Sequence, residues 1–125
     1  MRLILADTSV WIHHLREVDP FLVELAEGER LLMHPYVIGE LSMGNLRNRA
    51  AFLLSLRRME AVTVATHAEV SRFVETQGLF GAGIGWIDAH LLASVLLTPD
   101  ADLWSRDQRL RTMAARYGRA AQLHN

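Results

Sequence analysis

The segment Leu3-Ile4-Leu5-Ala6 is apolar without a break and stops at Asp7-Thr8-Ser9. So short and continuous an apolar run reads as a strand covered on both faces, as in the middle of a parallel sheet. Parallel strands cannot be joined by tight hairpins and need crossover connections, usually helices. The chain supplies that alternation. Further strands are expected at Arg30–Met33, Val62–Val64 and Ala101–Trp104, with Ala121–Leu123 as a fifth, edge strand.

Helical segments lie between them. Thr8 and Ser9 are capping residue types ahead of a short helix over Val10–Leu15. Asp19-Pro20 opens a second through Phe21, Leu22 and Leu25, closed by Gly28, with the proline suited to the first turn. Pro35 opens a third containing Val37, Ile38 and Leu41. Asn48–Arg58 forms a fourth, with Phe52, Leu53 and Leu56 on one face. Thr66 and Glu69 have capping-box spacing ahead of Val70, Phe73 and Val74, and Gly78 ends that helix. Ile87–Leu97 is strongly apolar and stops near Pro99. Asp107–Tyr117 is followed by Gly118, a C-terminal stop. Gly78, Gly81, Gly83 and Gly85 make a loop; no strand immediately precedes it and no lysine follows, so it is not a phosphate cradle.

This order predicts an α/β chain with a mostly parallel central sheet in a three-layer α/β/α arrangement, as one domain over residues 1–125. With 50% apolar residues the chain can build a core, yet no apolar run is long enough to span a bilayer. The N-terminal apolar run is too short for a signal-peptide core, so a cytoplasmic location is expected. The absence of cysteine excludes disulfides and thiolate metal sites.

Ligand sites of open parallel sheets lie beyond the carboxyl ends of the strands. Asp7 and Asp107 follow two of the predicted strands, while Glu40 and Asp88 fall on helices. Carboxylates gathered at such an edge repel one another, and a hard divalent cation such as Mg²⁺ or Mn²⁺ offsets that repulsion. All 13 basic residues are arginine, and against the acids outside this set they are in excess by three. Arginines around a metal-neutralised acidic pocket suit a phosphodiester; genomic base composition is the plainer reason for arginine in place of lysine.

The pattern resembles the PIN-domain nucleases and, among them, the VapC-type toxins of bacterial toxin–antitoxin pairs. The resemblance runs from the N-terminus to about Leu110. Asp7 after the first strand matches the family's opening acid. Glu40 matches the acid on the third helix, Asp88 in Ile-Asp-Ala-His-Leu-Leu-Ala-Ser the acid opening the long apolar helix, and Asp107 in Leu-Trp-Ser-Arg-Asp the acid after the fourth strand. No single motif is specific; order, spacing and length together are.

The resemblance implies a metal-dependent ribonuclease. Asp7, Glu40, Asp88 and Asp107 would hold Mg²⁺, or Mn²⁺ in its place, which activates water and stabilises the leaving oxygen. Thr8, Ser9 and Ser105 would orient a water or touch phosphate, although Thr8 and Ser9 equally suit a helix cap. The resemblance also implies an RNA substrate, a cognate VapB-type antitoxin and a homodimer. Two other readings share the fold: an RNA-processing nuclease without an antitoxin, and a non-catalytic binding module. A haloacid-dehalogenase-type phosphatase would need an acid where Ser9 stands, and a receiver domain would need a late lysine.

Other polar residues have plainer roles. His13 and His14 are neighbours on a helix and point to different sides, and His90 faces away from Asp88. His34 and His67 read as loop or cap residues. Trp11, Trp86 and Trp104 read as packing anchors, with stacking on an RNA base the alternative for Trp86. Arg106, Arg109, Arg111, Arg116 and Arg119 make the C-terminal third basic, as a solvated face or as phosphate contacts.

Overall fold

The computed structural model describes residues 1–123. Strand β1 (Leu3–Ala6) lies inside a four-stranded sheet, between β2 (Leu31–Met33) and β4 (Ala101–Trp104), and β3 (Glu60–Ala61) lies beyond β2. All pairings are parallel; Leu5 stands opposite Leu32 on one side and Leu103 on the other. Helices α1 (Thr8–Arg16), α2 (Pro20–Glu27), α3 (Pro35–Ser42), α4 (Arg49–Arg57), α5 (His67–Gln77), α6 (Trp86–Leu97) and α7 (Gln108–Arg116) complete the expected three-layer α/β/α arrangement.

The chain builds outward from β1 to β2 and β3, then returns to place β4 on the other side of β1. That reversal opens a crevice at the carboxyl ends of β1 and β4, the usual ligand position in an open parallel sheet. Ile4, Leu5, Leu32 and Leu103 form the middle of the core, with Val10, Leu22, Leu91, Leu92 and Leu110 from the helices. Every residue of α6 from Ala89 to Val95 is buried, which explains a helix that is apolar all round. Among the described residues no helix is long and apolar enough to cross a membrane.

Two strand expectations are corrected. The third strand is Glu60–Ala61 and not Val62–Val64. Val62 still donates to the Met33 carbonyl, but the next N–H groups leave the ladder: Thr63 donates to Thr98 Oγ1 at 2.9 Å and Ala65 to Ser94 Oγ at 3.0 Å. Hydroxyls on α6 and its C-terminal cap thus satisfy a backbone that a strand partner would otherwise hold. The edge strand at Ala121–Leu123 reduces to one bridge between Leu103 and Ala120. Arg119 Nη1 donates to the carbonyls of Val95 and Ala101, each at 2.9 Å, and fixes the chain beside β4 just before that bridge.

The Ser94 tether is testable. Ser94→Ala leaves the Ala65 N–H without its buried acceptor, at a cost of about 1–3 kcal/mol. Urea denaturation should show a lower midpoint with an unchanged slope; an unchanged midpoint would show that the contact contributes nothing.

Candidate active site

Asp7 ends the central strand and caps α1, and it is 5% exposed. A buried carboxylate needs donors, and three converge on it. Oδ1 accepts the Ser9 hydroxyl and the Val10 N–H at 3.3 Å; Oδ2 accepts the Ser105 hydroxyl at 2.5 Å. The two serines continue the network, for Ser9 Oγ accepts the Arg106 N–H at 3.0 Å and Ser105 Oγ the Asp107 N–H at 2.9 Å. Asp107 caps α7, accepting the N–H groups of Arg109 and Leu110 on Oδ1. A continuous chain of hydrogen bonds therefore links Asp7 to Asp107 across the crevice.

The other two acids arrive from helices. Glu40 lies on α3, and its Oε1 accepts the Thr8 hydroxyl at 2.5 Å. Asp88 sits in the first turn of α6 and reaches back to accept the Gly85 N–H on Oδ2 at 3.1 Å. Asp88 senses the whole group. Burial pushes its carboxyl above the usual range; the Gly85 N–H pulls it down; the charges of Asp7, Asp107 and Glu40 push it up again.

Sharing a field is not the same as sharing a ligand. Among the described residues no three His, Asp or Glu side chains form a ready-made group for a metal ion. The carboxylates instead take local donors, as like charges do when nothing draws them together. The donor set itself suits a hard cation, because every side chain in it offers oxygen. Oδ1 of Asp88, Oδ2 of Asp107 and Oε2 of Glu40 accept no hydrogen bond among the described residues. Thr8, Ser9 and Ser105 all donate to these acids, so in this structure they orient carboxylates.

Beside the acids runs a belt of rings that the sequence reading did not assemble. Centroids step from His34 to Tyr36 (5.2 Å), to His90 (4.7 Å), to Trp86 (4.9 Å) and to His67 (5.1 Å). His34 caps α3, its Nδ1 accepting the Tyr36 N–H at 2.9 Å, so the neutral ring carries its proton on Nε2. Burial, then the neighbouring His90, lowers His34 to about 4, and burial followed by His67 lowers His90. Trp11 is buried as expected, but Trp86 is 41% exposed. Tyr36 and Trp86 face each other across an apolar cleft of about 390 Å³ bordered by Glu40. The available signal was the four-residue spacing of Tyr36 and Glu40, which puts both on one side of α3.

The sequence matches the PIN domain family model over residues 4–116. It is 46% identical over 116 residues to proteins named Ribonuclease VapC32 from two strains of Mycobacterium tuberculosis, CDC 1551 / Oshkosh and ATCC 25618 / H37Rv. Those alignments cover 93% of this chain and 94% of each relative.

Two pH effects of opposite sign follow. Because folding raises the Asp88 pKa, the folded state holds that proton more tightly than the unfolded chain, and ionisation removes stability as pH rises. Metal-free Asp88→Asn should therefore melt higher than wild type at neutral pH, by on the order of a few degrees, with the gap closing in acid. A lower melting point would refute the repulsion. His34 works the other way: its pKa falls from 6.5 to about 4 on folding, so the unfolded chain takes the proton first. That contribution is complete above pH 6.5 and is lost as pH falls towards 4. Denaturation midpoints across this window should fall less steeply in His34→Asn, which keeps a capping oxygen but does not titrate.

Proposed function

This chain belongs to the PIN-domain family as a VapC-type member, and we propose that it is a metal-dependent endoribonuclease toxin restrained by a cognate VapB-type antitoxin. The observation that carries the reading is the gathering of Asp7, Glu40, Asp88 and Asp107 at the carboxyl edge of a parallel sheet, where Asp88, raised first by burial, also feels the charges of the other three. Relatives named as ribonucleases at 46% identity support RNA as the substrate. Single-stranded loops are the accessible targets, since their bases are already unstacked.

Asp7, Glu40, Asp88 and Asp107 would hold Mg²⁺, with Mn²⁺ able to replace it. When bound, the cation lowers the pKa of water and neutralises charge on the phosphoryl and leaving oxygens. The protein's own part is positioning. Ser9 and Ser105 fix both oxygens of Asp7, and Thr8 holds Glu40, so two of the carboxylates are oriented before substrate arrives. The start of α6 anchors Asp88 through Gly85, and the start of α7 anchors Asp107. Burial of Asp7 excludes bulk water from one side, where electrostatic interactions strengthen.

The remaining surface supports assembly. Ile12, Leu15, Val18 and Phe21, on and between α1 and α2, are 41%, 46%, 68% and 37% exposed, a large apolar display for so small a fold. We read this as a face for a second copy or for the antitoxin, in a homodimer acting in the cytoplasm. An antitoxin arginine reaching the acid cluster would pair with carboxylates that otherwise hold metal.

Cleavage of RNA by the purified protein should require Mg²⁺ or Mn²⁺ and stop in EDTA. Asp7→Asn should reduce the rate by about two orders of magnitude or more, because a uniquely placed charge is lost. Expression of wild type alone should arrest growth, while Asp7→Asn at equal level is tolerated. Toxicity that survives the substitution would favour a binding role over catalysis. Light scattering showing a 14.1 kDa particle with full activity would reject the dimer as a requirement.

A further inference from the structure

Helix α7 and the glycine-rich loop ahead of α6 meet at one close contact. Arg109, the second residue of α7, lays its side chain against the backbone of Gly83. A Cβ at position 83 would stand 2.7 Å from Arg109 Cδ, 2.9 Å from Nη1 and 3.1 Å from Nε. The first two are closer than real Cβ contacts, so a side chain at 83 would displace the flexible end of Arg109, and Gly83 also has φ +85°, which other residues resist. The backbone conformation favours glycine there, and the absent Cβ leaves the space that the guanidinium occupies.

Among the described residues the charge held there has no ion-pair partner. Among the described residues the ion pairs within 4.0 Å are those of Arg2 with Asp100 and Asp102. Arg109 donates no side-chain hydrogen bond to the described residues, whereas Arg111 on the same helix is engaged by Gln108 at 2.5 Å. Yet Arg109 stands among the acids. Its own N–H is held by Asp107 Oδ1 at 2.8 Å, and two residues beyond Gly83 the loop is tied to Asp88 through the Gly85 N–H at 3.1 Å. Its guanidinium lies over Gly83 and pairs with none of the described carboxylates.

We propose that Arg109, seated on Gly83, binds a backbone phosphate of the RNA next to the one that is cleaved. The inference rests on the ribonuclease reading and adds the element that holds the strand. The cleaved phosphate has to lie against the carboxylate oxygens. A guanidinium more than 4.0 Å from all of them is placed for the neighbouring phosphate. Its fork matches two phosphate oxygens, and holding it in advance removes part of the side-chain entropy lost on binding. Gly83 and Arg109 are then one unit, the first giving the second its position.

The test uses a fluorescently labelled, mixed-sequence single-stranded RNA. Its affinity across a salt series is measured in an Asp7→Asn background, so that the RNA stays whole, and its cleavage is measured in the otherwise wild-type protein. Arg109→Gln should weaken binding and raise KM by about tenfold with little change in kcat, the effect of losing one charge-assisted contact. It should also reduce the slope of log affinity against log salt by about 0.7, the value for one phosphate on a single strand. Arg109→Lys should restore the slope but only part of the affinity. Gly83→Ala, checked for a native melting curve, should act like Arg109→Gln, and combining the two should add nothing further. Arg58→Gln, beside Glu29 and Glu60 at the opposite edge of the sheet, should behave as wild type. If Gly83→Ala does not fold, the salt slopes of Gln and Lys at position 109 decide alone. Unchanged affinity and slope in Arg109→Gln, with wild-type cleavage intact, overturn this inference and leave the nuclease reading standing. RNA that binds through Arg109 but is never cut overturns the nuclease reading instead. No binding and no cleavage overturn both.

Discussion

A carboxylate buried at the end of the central strand organises this molecule. Asp7 has almost no contact with solvent, so its charge is tolerable only because two hydroxyls and a backbone N–H point at it. Meeting that demand draws together elements far apart in the chain. Ser105 comes from the end of β4 and Ser9 from α1, and both also accept N–H groups from the turn into α7. The hydrogen bonds that make Asp7 affordable inside the fold thus align β1, β4, α1 and α7 around one crevice.

The same economy governs the acids around it. Asp7 caps α1, Asp88 reaches back at the start of α6, and Asp107 caps α7. Helix N-termini present unpaired N–H groups and the positive end of a dipole. Three such ends face the acid cluster and offset part of the repulsion that raises Asp88. Capping and function are therefore not rival explanations for these aspartates. Each cap fixes one carboxylate oxygen on its own helix and leaves the other directed elsewhere, except at Asp7, where both are held. A set of charges that would destabilise a fold if left free becomes a set of oriented carboxylates.

The ring belt gives this edge a second character. His34 and His90 stay neutral because burial disfavours their charged forms, so they serve as packing between the core and Tyr36 and Trp86. The result is a site with an acidic floor, an apolar cleft on one side, and the Gly83–Arg109 contact on the other. A nucleic acid strand has both components, charged phosphates and flat apolar bases, and such a rim can distinguish them.

The local sequence was enough for the parallel α/β order. A continuous apolar run before Asp7, capping types at helix starts and glycines at helix ends all act over a few residues. That is why β1, β2, β4 and every helix lie close to where the pattern puts them. It was also enough for the resemblance to the PIN-domain family, which the family match over residues 4–116 bears out. Partners distant in the chain were not legible. Val62–Val64 looks like a strand by composition, but the Thr63 N–H turns to Thr98 at the end of α6 and the following Ala65 N–H to Ser94, while beside β4 the last described residues make one bridge, Leu103 with Ala120. The serines looked like ligands for water or phosphate until the fold brought them onto Asp7. His34 is the cap that its position suggested, but that it and His90 would be neighbours in a buried belt was not legible. Arg109 was one of several arginines on a basic helix until a glycine twenty-six residues earlier gave it a seat. Periodicity and capping are properties of neighbours in sequence, whereas a hydrogen-bond partner, a lost proton or a held charge depends on what folding places within a few ångströms.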